Sequence, residues 1–511
     1  VGFTNTFPLE NAGAILSAHL KLATPISRHR KLRSYSLLFF GCVLFHIIGT
    51  WNLPLIDRDE PRFAEASREM IERGDYVVPD FNNQLRLDKP PLAYWAQVAS
   101  FELFGQNDFA ARFPSAVAAA LVALSIFAWG NRLADTRIGW WGAIIFTLSL
   151  QTFLHAKAAV ADMWLVLFMT TAHLSGCELN EKRETKNEKR KTMWWWLFYV
   201  SLALGFLAKG PIAWTPLLTV ASTMFFPRDL PLACRFKFVR GIALMLGLIA
   251  LWAVPALLRT HGEFLTIGIG RHVIARSFAA MEGHGGNSLG LYLLLLPFYF
   301  LTIFVSFFPW SIKLPRLARR LWSGRDEIDN YLFAGAAIVF LIFSLISTKL
   351  PHYILPAFPL LSLLLARRLV EEQKFFTRAA MAAVCIYVVV GFVVPPFAAR
   401  AFPVKQLYND ARDSLRPEME FGAVTFEEPS LVWYFRGRVS SWMNLLRPQD
   451  ATEFMQRSGP RFIVLPTTLA HELFANPPHD LKTFSARGFN VAKGKTVDLT
   501  LVLKQSDSAK R

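Results

Sequence analysis

Apolar runs about as long as a membrane-crossing helix recur at 37–54, 111–130, 138–154, 159–177, 194–208, 211–227, 241–258, 289–311, 329–347, 351–366 and 378–396. They are continuous rather than alternating, and short polar or basic connectors bound them, which predicts helices in a bilayer. The aromatic stretch 91–105 predicts one or two more. Beyond residue 396 the pattern changes. Short β-rich runs at 421–426, 461–465 and 497–503 alternate with helix-like stretches such as 449–458, the pattern of a small α/β domain. The predicted fold is a multi-span α-helical membrane protein of about 11–13 transmembrane helices with a small C-terminal α/β domain. Its parts are an N-terminal cytoplasmic segment 1–36, a membrane domain 37–396 and the α/β domain 397–511.

Of the 511 residues, 53% are hydrophobic, and the mean hydropathy is +0.32, which supports a bilayer as solvent. The formal charge of +17 would suggest nucleic acid if the cations formed one groove. Instead they sit in connectors: 181–191, Arg235 to Arg240, Lys313 through Arg325, and Arg367-Arg368. That is the positive-inside pattern, so these connectors are cytoplasmic and loops 55–110, 259–288 and 348–353 face the other compartment together with the α/β domain. Arg28, Arg30, Lys31 and Arg33 precede an apolar run too long for a signal sequence, and no A-x-A site follows, so the run reads as a retained first span. Cys42, Cys177, Cys234 and Cys385 are far apart, with no CxxC pair, and read as packing residues.

Candidate chemistry concentrates on the loop after the first run, which begins Asp57-Arg-Asp-Glu-Pro-Arg62. Pro61 suits a first helical turn, Asp59 or Glu60 could cap it, and Gly74 would end it. Phe63, Ala66, Met70 and Ile71 then share one face and Arg62, Glu65, Glu69 and Glu72 lie elsewhere, which predicts an amphipathic helix on the membrane surface. For the loop alone, a plain cap with solvated charges is the better reading. Asp88 and Lys89 follow, with Pro90-Pro91 fixing the return to the membrane. Asp162, Lys209, Lys349, His352 and Tyr353 lie beside or within apolar runs, where ionisable groups are costly and usually functional. Any one of them could equally be a helix-end charge. Together they describe a mixed acidic and basic site at the non-cytoplasmic face.

Asp59-Glu-Pro-Arg62, Gly74-Asp-Tyr-Val-Val-Pro79 and Asp88-Lys-Pro-Pro91 with Tyr94-Trp95 resemble the first periplasmic loop of bacterial GT-C glycosyltransferases of the aminoarabinose-transferase-like branch, within the protein O-mannosyltransferase superfamily. Ala161-Asp162-Met163, Lys209-Gly-Pro211, Arg271-His272 with Arg276, and Lys349-Leu-Pro-His-Tyr-Ile-Leu-Pro356 continue the resemblance in order, over roughly 37–366. The chain departs from it at Asp88, where glutamate is frequent, and at His352-Tyr353, where two tyrosines are. The resemblance implies inverting transfer of a sugar from a polyprenyl-phosphate carrier, undecaprenyl phosphate in bacteria, to lipid A or another envelope acceptor at the periplasmic face of the inner membrane. It implies Arg62 and Lys89 at the donor phosphate, Lys209, Lys349, His352 and Tyr353 beside them, Asp59 at the acceptor or sugar, and Asp162 supporting the pocket. Asp88 and His272 are candidates for a divalent metal, against local hydrogen bonding of His272, His284 and His352; no other cofactor is implied. A protein O-mannosyltransferase, a lipid-linked-sugar flippase and a scaffold built on 397–511 are the competing readings.

Overall fold

The computed structural model describes residues 28–180, 188–223, 235–275, 288–475 and 481–505. Within these limits each apolar run contains helix, although the first is helical only to Ile47. Among the described residues four helices are long and apolar enough to cross a membrane: Asp108–Leu133, Phe238–Arg259, Glu327–Leu345 and Gln373–Ala399. A bent pair, Phe298–Ser306 with Trp310–Ser323, would make a fifth. Some others, such as Asp162–Asn180 and Glu188–Lys209, are as long but less apolar, and some are short or broken, such as Thr136–Thr147 followed by Leu150–His155.

Local chemistry sets the ends of these helices. Asn107 caps the first long one through a bond from the Ala110 amide at 2.8 Å, and Asp135 caps the next from Ile138 at 2.9 Å. Gly130 and Gly139 let those two helices meet, because a Cβ on Gly130 would stand 2.6 Å from the Gly139 Cα. The run 289–311, expected as one span, is instead split at Leu295–Pro297 and turns by 120° near Pro309. Part of the basic connector after it, Leu314–Ser323, is an amphipathic helix. The stretch 91–105 forms the helix Leu92–Phe104; its 13 residues rise only about 20 Å, too little to cross a bilayer. Cys42 and Cys177 are buried, as expected of packing residues, but Cys385 is exposed on Gln373–Ala399; Cys234 lies outside the described residues.

The C-terminal part is α/β. Five strands, β3 (Glu420–Val424), β4 (Met443–Leu446), β5 (Arg461–Pro466), β6 (Leu481–Asn490) and β7 (Lys495–Lys504), follow a small hairpin, β1 (Asp80–Phe81) and β2 (Gln84–Leu85), in the first loop. The sheet order is β4-β3-β5-β7-β6, parallel among the first three and antiparallel at the other edge. Strands β3, β5 and β7 match the apolar runs in the sequence.

This domain packs directly on the first loop. Leu55, Ala64, Phe101 and Ala110 share a core with Leu431, Trp433 and Phe435. The loop helix, Asp59–Arg73, therefore does not lie on a membrane surface with its charges in water. Phe63, Ala66 and Met70 pack with Tyr94 and Ala161, while Glu65, Arg68 and Glu69 are also buried, against the segment around Pro429–Phe435. Paired charges make that second burial tolerable. Arg436 bonds Glu65, and Glu72 at 2.7 Å. Arg68 bonds Glu65 and the Trp433 carbonyl, the latter at 2.8 Å.

Candidate active site

The loop helix ends as its sequence predicts, on Gly74 at φ 64°. Its start differs: it begins at Asp59, and neither Asp59 nor Glu60 caps it. Glu60 is instead buried in a knot with Arg112 at 2.6 and 3.0 Å, and accepts the amides of Ile56 and Ala159 at 2.7 Å each. This ties the loop to two other segments and leaves Asp59 as the exposed acid at the same turn. Arg86 then bonds Tyr94 Oη at 2.8 Å and pairs with Asp88 at 3.2 Å. Burial works against the Arg86 charge, but Tyr94, Asp88 and Asp59 hold its pKa above the ordinary value.

Beyond the loop lies a cavity of about 710 Å³. Asp88, Lys89, Asp162, Lys209, His352 and Tyr353 all line it, and most of its remaining wall is apolar, including Leu165, Phe206, Trp214, Trp252 and Phe343. Asp162 opens the helix Asp162–Asn180, where the helix dipole favours an anion. Lys209 closes Glu188–Lys209, stopped there by Gly210 at φ 83° and Pro211. The two side chains meet at 2.5 Å. His352 Nε2 lies 3.9 Å from the same carboxylate, and Lys209 Nζ is 5.6 Å from the centre of the Tyr353 ring. Asp59 is close enough to act electrostatically on both Arg86 and Lys209.

Six of the expected residues thus share one cavity; Asp59 does not line it, although its charge acts on Lys209 and Arg86. Two more are elsewhere. Lys349 does not line the cavity; its Nζ donates to the carbonyls of Phe343, Ser344 and Ile346 at 3.0, 2.6 and 2.6 Å, closing the C-terminus of Glu327–Leu345. Arg62 does not line it either, and its charge acts on Asp57. His272 belongs to the helical segment Phe264–Ala275, but its side chain, like Arg276 and His284, lies outside the described residues. Lys349→Ala should consequently cost about 1–3 kcal/mol of stability by stranding buried carbonyls, with the folded fraction keeping its turnover. Thermal unfolding alongside activity checks this, and lost turnover at unchanged stability would return Lys349 to the site.

His155 was not visible as a site residue because it sits at the end of an apolar run. Its ring stacks 4.7 Å from His352, and His155, Asp162 and His352 offer ligand atoms within 4.8 Å of one another. Two imidazoles and a carboxylate suit zinc, although a cation there must share Asp162 with Lys209.

The buried acids at the domain junction carry a pH signature. Burial raises the Asp57 carboxyl to about 7 despite two bonds from Ser430, at 2.9 and 2.6 Å. Burial and then Glu65 raise Glu69 to about 7. Between the ordinary carboxylate range and pH 7 the folded form holds protons that the unfolded chain has released, so stability falls as pH rises through this window. The melting temperature should drop from pH 5 to pH 8, and Asp57→Asn with Glu69→Gln should flatten the drop. An unchanged slope in the double variant would contradict this.

Residues 88–254 match the family described as dolichyl-phosphate-mannose-protein mannosyltransferase. The chain is similar to that family over this segment, and over a longer stretch to aminoarabinose transferases. It is 31% identical over 349 residues to the undecaprenyl phosphate-alpha-4-amino-4-deoxy-L-arabinose arabinosyl transferase of Aeromonas salmonicida, covering 67% of this chain and 61% of that protein. Against the enzyme of the same name from Pseudomonas aeruginosa it is 28% identical over 354 residues, covering 68% and 61%. The chain thus spans about three-fifths of the length of these relatives. Its fold is that of ArnT from Cupriavidus metallidurans, solved bound to undecaprenyl phosphate: TM-score 0.74 at 18% identity, over 92% of this chain and 97% of that one.

Proposed function

We propose that the protein is an inverting membrane glycosyltransferase that moves a sugar, aminoarabinose by kinship with its relatives, from undecaprenyl phosphate to lipid A or a related envelope acceptor. The observation that carries this is the 710 Å³ cavity, with Lys89 and Lys209 among its polar residues and a mainly apolar wall. A polyprenyl phosphate needs both: cations for its phosphate and a dry wall for its isoprenes. The named relatives and the ArnT fold support the same donor.

In this reading the acceptor oxygen attacks the anomeric carbon as the bond from that carbon to the phosphate oxygen breaks, and the phosphate leaves with the electron pair. Lys89 and Lys209 stabilise the charge that grows there. Asp162 holds Lys209 in place, while His352 and Tyr353 border the same space. Asp59 orients the acceptor, serving as general base if that is a hydroxyl and as a binding group if it is an already ionised phosphate. The apolar runs outside 91–105 are read as about eleven membrane crossings, with the site facing the periplasm and the cation-rich connectors the cytoplasm.

A divalent cation belongs to the reading as a site to be tested, at His155, Asp162 and His352 or at Asp88 and His272; when bound it would add positive charge opposite the leaving phosphate. Metal analysis of the purified protein separates the two. His352→Ala should lower zinc content if the first set holds it, and only His272→Ala should if the second does.

The transfer itself is tested by mass spectrometry of lipid A from cells with and without the active protein. A mass increase of one aminopentose supports the proposal; identical lipid A together with a modified protein would favour the mannosyltransferase-like alternative.

A further inference from the structure

A second polar cavity, of about 600 Å³, opens where the last long helix leaves for the C-terminal domain. It is lined by Arg400, Lys405 and Arg487, by the amides of Asn52, Gln406 and Asn409, and at its rim by Trp51. It shares no residue with the site described above.

The cations are brought together by fixed backbone. Arg400 directly follows the membrane-length helix Gln373–Ala399, and Arg487 lies on β6. The Phe489 amide bonds the Ala401 carbonyl at 2.7 Å, and Gly488 allows that approach, since a Cβ there would come within 2.4 Å of the same oxygen. Gln406 also bonds the Arg400 carbonyl. Acids do little to balance these charges. Asp108, the acid in the lining, is engaged by Trp433 at 2.8 Å and Tyr434 at 3.0 Å, and lies 3.9 Å from Lys405. Arg487 approaches Asp498 only to 3.8 Å, both being exposed. Like charges on a shared wall repel, and an anion between them relieves the repulsion.

The cavity's level indicates which anion. Trp51 is exposed and its ring lies 6.5 Å from that of Phe392, itself exposed on the membrane-length helix. An exposed tryptophan beside an exposed phenylalanine of a membrane-length helix, with an arginine one residue beyond that helix, is the pattern of a membrane–water boundary. We propose that this cavity binds the phosphate headgroup of an anionic lipid in the leaflet on the side of the C-terminal domain. The inference rests on the membrane placement proposed above and not on the transfer reaction.

Native mass spectrometry of the full chain, released from vesicles of phosphatidylglycerol mixed with phosphatidylcholine, tests it. The wild type should retain phosphatidylglycerol in excess, and Arg400→Gln/Lys405→Gln/Arg487→Gln should reduce that adduct at least ~10-fold. A control of equal charge on exposed arginines elsewhere, Arg137→Gln/Arg240→Gln/Arg319→Gln, should keep it. Equal loss in both variants, or loss in neither, would overturn the assignment, and so would displacement of the lipid by millimolar inorganic phosphate alone, which marks a free-phosphate site. Sugar transfer measured in the same vesicles keeps the two proposals apart: the cavity variant should lose the adduct and retain transfer, while failure of transfer in the wild type would leave the lipid result standing.

Discussion

Lys89→Ala should lower kcat/KM for sugar transfer by about 10²–10³-fold, with the fold and membrane insertion unchanged. The residue is half-buried at the cavity wall, on the segment fixed by Pro90 and Pro91. It lines the cavity in which, on the proposed mechanism, the phosphate would acquire charge. Lys89→Arg should recover part of the loss, because the charge returns on a longer, planar group. Lys209→Ala is a poorer probe, since it also strands the buried carboxylate of Asp162. Steady-state transfer in detergent or vesicles, next to a melting curve, gives the answer. Full activity in Lys89→Ala would remove this residue from the donor site.

The second large effect is expected far from the cavity. Arg436 is almost completely buried, donates to Glu65 and Glu72, lies 3.8 Å from Glu69 and stacks 3.7 Å over the Trp442 ring. Arg436→Ala leaves Glu65 with Arg68 and Glu69 with Arg73 at 3.5 Å as their remaining counter-charges, removes the cation that joins these acids to the C-terminal domain, and should cost up to about 3–5 kcal/mol. The loop helix that carries Asp59 would lose its clamp to the C-terminal domain. Arg436 is thus a positioning residue: limited proteolysis should release the C-terminal domain sooner, and the fraction still folded should turn over more slowly. Arg436→Lys should restore only part of the stability, since an ammonium cannot fork between two carboxylates. A melting temperature equal to wild type would show that the clamp contributes nothing.

Much of the cavity was legible because its residues punctuate the chain. Lys209-Gly-Pro and Ala-Asp162-Met stand where apolar runs end and begin, so an ionisable residue there has few structural excuses. The position of Lys349 misled for the same reason: a lysine after an apolar run can close a helix C-terminus as well as bind a phosphate, and only its three carbonyl partners decide. Glu65 and Glu69 read as solvated because their partner, Arg436, lies more than 360 residues away, and local periodicity carries no trace of it. The helices were found from hydrophobicity alone, but the break in 289–311 was not, since Pro297 and Pro309 are compatible with either a kink or an end. Strands β4 and β6 escaped because their side chains are largely exposed edge positions without an apolar run.

The central claim, that the first loop and the apolar cavity form one sugar-transfer site, is tested most directly by reconstitution. Purified protein in vesicles would be given undecaprenyl phosphate-aminoarabinose and lipid A, and both products followed by mass spectrometry. The wild type should add one sugar to lipid A and release one undecaprenyl phosphate per sugar, while Asp59→Asn should yield neither and Lys89→Ala should yield both about 10²–10³-fold more slowly. Movement of the intact sugar lipid between leaflets without any release of undecaprenyl phosphate would contradict the account.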